Sequence, residues 1–143
     1  MTAVTQAQSL SAVIHRTFDE TLVSLRSALQ AESIDIVREL PLHLVFQKSV
    51  GVSCRRYTVL VVWNQFEAWR AVLTEDDAGL LTPFNIVVRG NGDSTVIAIG
   101  NWTGRRAAPG TIGISMMLHD TEARIRQVLE HCVRDSRSAW IET

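Results

Sequence analysis

Lysine is almost absent from this chain of 143 residues: of its 14 basic residues only Lys48 is lysine, leaving 13 arginines. Cysteine occurs twice, at Cys54 and Cys132, tyrosine once and proline three times. The two thiols lie far apart, and no second Cys or His stands at metal-ligand spacing near Cys54, which excludes a cysteine metal cluster. Free thiols in a reducing cytoplasm are the expectation. His131 and Cys132, adjacent on a predicted helix, point about 100° apart and cannot chelate one ion from the same face. Long apolar runs are missing as well: Val59-Leu60-Val61-Val62-Trp63 falls far short of the roughly 20 residues that cross a bilayer. No membrane span is expected. The first nine residues lack the basic start and apolar stretch of a secretory signal, so the expected location is cytoplasmic. Nor is there an excess of one charge. A net charge of −1 and no basic stripe exclude a nucleic-acid coat.

What is present is enough apolar material for a core. With 46% hydrophobic and 20% charged residues, residues 1–143 read as one compact domain. The arginine bias has two readings. A guanidinium fork grips carboxylates and phosphates bidentately, whereas genome composition produces the same bias without any ligand.

Leu10 to His15 alternates apolar and polar positions and predicts a first strand. Thr17-Phe18-Asp19-Glu20 is a capping box, and Phe18, Leu22, Leu25 and Leu29 form one stripe of a helix running to about Ala31. Ile34, Ile36, Arg38 and Leu40 alternate with Asp35, Val37 and Glu39, predicting a strand that ends at Pro41. Leu42 to Val50 reads as a short helix stopped by Gly51, or as continued strand. Tyr57 to Trp63 has almost no polar positions, as in a central strand buried on both faces. Asn64 and Glu67 repeat the capping logic for a helix from about Gln65 to Glu75. Pro83 leads into a strand at Phe84–Arg89, Gly90-Asn91-Gly92-Asp93 turns the chain, and Thr95–Ile99 returns as a hairpin. Residues 100 to 113 look like loop, and a last helix is expected from about Asp120 to Asp135. Ile114 to Leu118 either starts that helix early or forms a separate element. The element order favours α+β over a doubly wound sheet.

Tyr57-Thr58-Val59-Leu60-Val61-Val62-Trp63-Asn64, the Ala- and Leu-containing helix after it, and Ala78-Gly79-Leu80-Leu81-Thr82-Pro83-Phe84-Asn85-Ile86-Val87-Val88 resemble the bacterial domain-of-unknown-function family number 302. Phe18-Asp19-Glu20-Thr21 with Leu29 is similar to that family's helix opening, so the resemblance covers about residues 10–102. It implies a β-α-β(4)-α fold similar to the TATA-binding-protein-like class: a curved, mainly antiparallel sheet, helices on one face, often dimeric. It implies no settled activity. Three positions depart from the pattern: Glu32-Ser33 replaces the Gly after the first helix, Trp63 the Cys or Gly after the central strand, and Gln65 a Pro. Trp63 removes the residue on which a redox or metal role would rest.

The candidate ligand-binding residues are Asn85, Trp102, Arg105, Asn64 and His43. Each carries a plainer reading beside the functional one. Asn64 and Asn85 stand at predicted strand ends, where Asn commonly caps or turns, yet a polar group aimed into an apolar pocket is also how small-molecule sites are built. Trp63, Trp69, Trp102 and Tyr57 suit core or dimer-interface packing as well as ligand stacking, and Trp102, beside Asn101, is the best placed for a site. Arg55-Arg56 and Arg105-Arg106 are solvated loop charges or an anion clamp at a pocket mouth. His43, between Leu42, Leu44 and Phe46, is the candidate axial ligand should the protein bind haem, which needs only one His in an apolar cavity. No catalytic motif is found. The leading expectation is a homo-oligomeric module, a homodimer or higher, holding a small apolar or amphipathic ligand between sheet and helices. The alternatives are a haem protein or enzyme using a His, and a partner-binding dimer without ligand.

Overall fold

The structure, a computed structural model, describes residues 9–100, 112–136 and 139–142. Its elements run β1 (Ser9–Ile14), α1 (Phe18–Ala31), β2 (Asp35–Pro41), α2 (Leu42–Ser49), β3 (Tyr57–Trp63), α3 (Gln65–Thr74), a 3₁₀ turn (Ala78–Leu80), β4 (Phe84–Asn91), β5 (Ser94–Gly100), α4 (Ile112–Ser136) and β6 (Ala139–Glu142). The six strands form one sheet in the order β2-β3-β4-β5-β1-β6, with every neighbouring pair antiparallel. The fold is α+β. One buried cluster joins Leu22, Leu25 and Leu29 of α1 and Ile125, Val128 and Leu129 of α4 to Leu60, Ile86, Ile97 and Ile99 of the sheet. These helices therefore cover one face of it.

Helix α1 begins where its chemistry requires. The Thr17 hydroxyl accepts the Glu20 N–H at 3.1 Å, and the Glu20 carboxylate accepts the Thr17 N–H at 3.0 Å. Two backbone donors that the helix leaves unpaired are thereby satisfied. The far end closes on Ser33, whose φ of 59° lies in the left-handed region. Glycine normally takes that place, because a Cβ strains it by roughly 1–2 kcal/mol. The Ile34 N–H still reaches the Leu29 carbonyl at 2.9 Å, so the wrap that ends a helix survives the replacement. Helix α2 is stopped by Gly51 at φ 78°. In the β4–β5 hairpin, Gly92 sits at φ 65° as the first of the two residues between Asn91 and Ser94, the position where a type II′ turn needs glycine.

Strand β2 departs from the simple alternation. Ile36 pairs with Val62 and Arg38 with Val61, a register shift that leaves Val37 extra. Such a bulge flips the side chains beyond it. Leu40 and Arg38 therefore join Val59 and Val61 on the open face, while Glu39 turns toward the helices and accepts two hydrogen bonds from Arg26, at 2.7 and 2.8 Å. That pair holds the Glu39 carboxyl below its ordinary 4.5, through the hydrogen bonds first and the guanidinium charge second. A depressed carboxylate contributes stability above its unfolded value and loses it as pH falls through the folded one. Glu39→Gln is accordingly expected to lower the melting temperature slightly at pH 7, with the difference from wild type closing below about pH 4; thermal melts across this range check it.

Strand β3 differs from expectation in a way that matters for function. Thr58, Leu60 and Val62 are buried, but Tyr57, Val59, Val61 and Trp63 are only half-buried. The strand is interior to the sheet, yet one of its apolar faces is open among the described residues. Helix α4 starts at Ile112, earlier than its clearest apolar stripe, and β6 was not expected at all. Among the described residues no helix is long and apolar enough to cross a membrane.

Candidate functional site

Helix α3 presents its side chains the unusual way round. Asn64 caps it, its Oδ1 accepting the Glu67 N–H at 3.0 Å while its Nδ2 donates to the Ser33 carbonyl at 3.2 Å. Glu67 does not complete a capping box. Its carboxylate reaches α4 instead and accepts from the Thr121 hydroxyl at 2.5 Å and the Thr121 N–H at 3.2 Å. This link turns Ala68 and Ala71 inward, both buried. The large residues then face solvent: Phe66 is 62% exposed, Trp69 56%, Val72 51% and Leu73 67%. Phe66, Trp69 and Leu73 recur at i, i+3 and i+7 and form one stripe, nearly opposite the two alanines. The Phe66 and Trp69 rings pack 5.8 Å apart, and Arg70 reaches over Phe66 from the flank. Leu80, 74% exposed, follows in the 3₁₀ turn.

The space between sheet and helices is filled. Phe84, Leu25, Leu29, Ile86 and Ile97 are each at most 1% exposed there, so the apolar pocket expected in that layer is replaced by core. Among the described residues, cavities open at the surface as clefts. One of about 500 Å³ runs between α1 and α4 past Ala28, Glu32, Val128, His131 and Arg134. Another of about 340 Å³ lies between Arg55-Arg56 and the β4–β5 hairpin.

Of the residues expected to form a site, the structure describes Asn85, Asn64 and His43, which lie on different elements. Asn85 lies exposed on the open face of the sheet opposite Val61. Both ends of the Asn64 amide are used in capping α3 and tying it to Ser33. His43 accepts the Tyr57 N–H on Nδ1 at 2.9 Å and meets the Phe18 ring edge-on at 6.1 Å. It lines none of the cavities described here. Trp102 and Arg105 lie outside the described residues, as do Asn101 and Arg106. Among the described residues no group of His, Cys, Asp or Glu side chains is arranged to hold a metal ion. Cys132 is buried, and that burial pushes its thiol up, away from the reactive thiolate.

The model of the family described as "Domain of unknown function DUF302" matches residues 11–132. The chain belongs to this family. A solved structure, the crystal structure of the uncharacterized conserved protein DUF302 from Bacillus stearothermophilus, shares 19% identity with it. That likeness covers 87% of this chain and 97% of that one with a TM-score of 0.77, and it establishes the same fold. No curated protein matches the chain. Within this DUF302 domain, sequence reasoning placed Trp69 among core or interface aromatics without deciding between them. The deciding signal was Ala68 and Ala71: two small residues three apart mark the side on which a helix can approach a neighbour closely.

Proposed function

We propose that this domain is a binding module that works as a pair of identical subunits joined through the outward stripe of α3. The observation that carries the reading is the inverted helix itself. The large apolar face of a helix normally turns to the core, and here Phe66, Trp69 and Leu73 are in solvent while only Ala68 and Ala71 are buried. Phe66, Trp69, Val72, Leu73 and Leu80 together offer on the order of 500 Å² of apolar surface, compared with about 800 Å² per partner in a standard interface. Patches of that size on a lone subunit mark interaction surfaces.

A second copy suits this face because the face complements itself. An antiparallel crossing at Leu73 aligns Phe66 with the region of Leu80 on the other copy. It also sets Arg70 beside the acidic turn Glu75-Asp76-Asp77, whose sign it opposes. A two-fold axis repeats both contacts. Small-ligand binding falls to the surface clefts, since core fills the layer between sheet and helices. The free Cys54 and Cys132 support a reducing, cytoplasmic setting.

Tryptophan fluorescence tests the pairing. Acrylamide quenching is expected to rise as the protein is diluted through the micromolar range, as Trp69 becomes uncovered, and the rise is expected to vanish in Trp69→Phe. Quenching that is independent of concentration contradicts the proposal.

A further inference from the structure

We propose that the cleft between the Arg55-Arg56 loop and the β4–β5 hairpin binds a small oxyanion, a phosphate or carboxylate group carried on a small molecule. At about 340 Å³ it is at the small end of ligand sites, which run from about 300 to 1,000 Å³. That room suits one charged head group with a short body and not a polyanionic chain.

The two arginines have different parts. Arg56 is built into the fold: its carbonyl accepts the Gly90 N–H at 2.8 Å, its guanidinium lies 4.4 Å above the Phe18 ring centre, and its Nη2 donates to Asp19 at 2.6 Å. A guanidinium has five N–H donors, so this pinned fork keeps others for a ligand. Arg55 lines the same cleft and, among the described residues, has no ion-pair or hydrogen-bond partner. The facing wall supplies the Asn91 amide, which donates to the Ser94 hydroxyl only loosely at 3.4 Å, while that hydroxyl gives its own proton to the Asn91 carbonyl at 3.0 Å. Asp19 neutralises one of the two cations. Arg55 is thus the cation left for a ligand in a concave site with the Asn91 amide opposite, and planar bidentate recognition of an oxyanion is the chemistry that a guanidinium so placed performs.

Titrating the intact, isotope-labelled protein with inorganic phosphate, and separately with acetate, at constant ionic strength tests the site by amide chemical shifts. The expected result is saturable shifts at Gly90, Asn91 and Gly92 with at least one anion; phosphate alone, or acetate alone, identifies the group preferred. Arg55→Gln is expected to weaken that binding about tenfold, the worth of one charge-assisted hydrogen bond. Asp19→Asn removes the competing carboxylate and is expected to tighten it. Arg55 is exposed, so the variant's unchanged amide spectrum elsewhere confirms its fold. No saturable shift in this hairpin with either anion, or an Arg55→Gln titration identical to wild type, overturns the proposal. Neither result depends on whether α3 pairs two subunits.

Discussion

Leu25→Ala is expected to lower the stability of the domain by about 3 kcal/mol, read as a shift of the urea midpoint at unchanged slope. Leu25 is fully buried at the middle of the α1 stripe, within the cluster that joins both long helices to the sheet. Truncation there removes the transfer free energy of three carbons and leaves a void that a close-packed neighbourhood refills only in part. The figure bears on function as well as on stability. If a ligand cavity lay between helices and sheet, truncation would enlarge existing space and cost little. A loss below about 1 kcal/mol would therefore reopen the internal pocket that the structure closes.

The double substitution Trp69→Asp with Leu73→Asp is expected to do the opposite: leave the fold intact and separate the subunits. Both side chains are more than half exposed, so the isolated domain loses little core by changing them. In the proposed pair they sit at the centre of the stripe. Central aromatic and aliphatic anchors commonly carry about 2 kcal/mol or more each, so their loss, with two buried carboxylates in their place, weakens association by at least about 100-fold. Light scattering on an eluting column reads the mass, and circular dichroism confirms the melting temperature. A variant that still elutes as a pair moves the interface elsewhere, and one that fails to melt cooperatively shows that the stripe belongs to the core.

The parts of this fold that could be read from sequence are those whose signals are local. Thr17 and Glu20 announce the start of α1, the four-residue and three-residue steps from Phe18 to Leu29 give its inner face, and Gly92 marks the hairpin turn. Misreadings occur where a partner strand or helix decides. A bulge has no residue signature, so the alternation of β2 ran on through Val37, and Glu39 was assigned to the wrong side. The all-apolar β3 implies a cover on both faces, but sequence does not say whether that cover belongs to the same chain. Early loop punctuation at Gly113 hid the first turn of α4, and four residues gave too little pattern for β6.

The site was less legible for a related reason. Hydrophobicity alone points Phe66, Trp69 and Leu73 inward, whereas close packing against α4 favours Ala68 and Ala71, and the Glu67 to Thr121 hydrogen bonds fix the outcome. Asn64 and His43 had been weighed as ligand groups. Asn64 instead spends both amide atoms, and His43 its Nδ1, on the backbone of neighbouring elements.

Sedimentation equilibrium of the wild-type protein beside the Trp69→Asp, Leu73→Asp variant, over a wide micromolar range, tests the pairing most directly. Wild type is expected to approach twice the 15.9 kDa subunit mass as concentration rises, with the variant staying at the single mass throughout. Wild-type protein that remains at the single mass at the highest concentration, or a variant that associates as strongly as wild type, would contradict it.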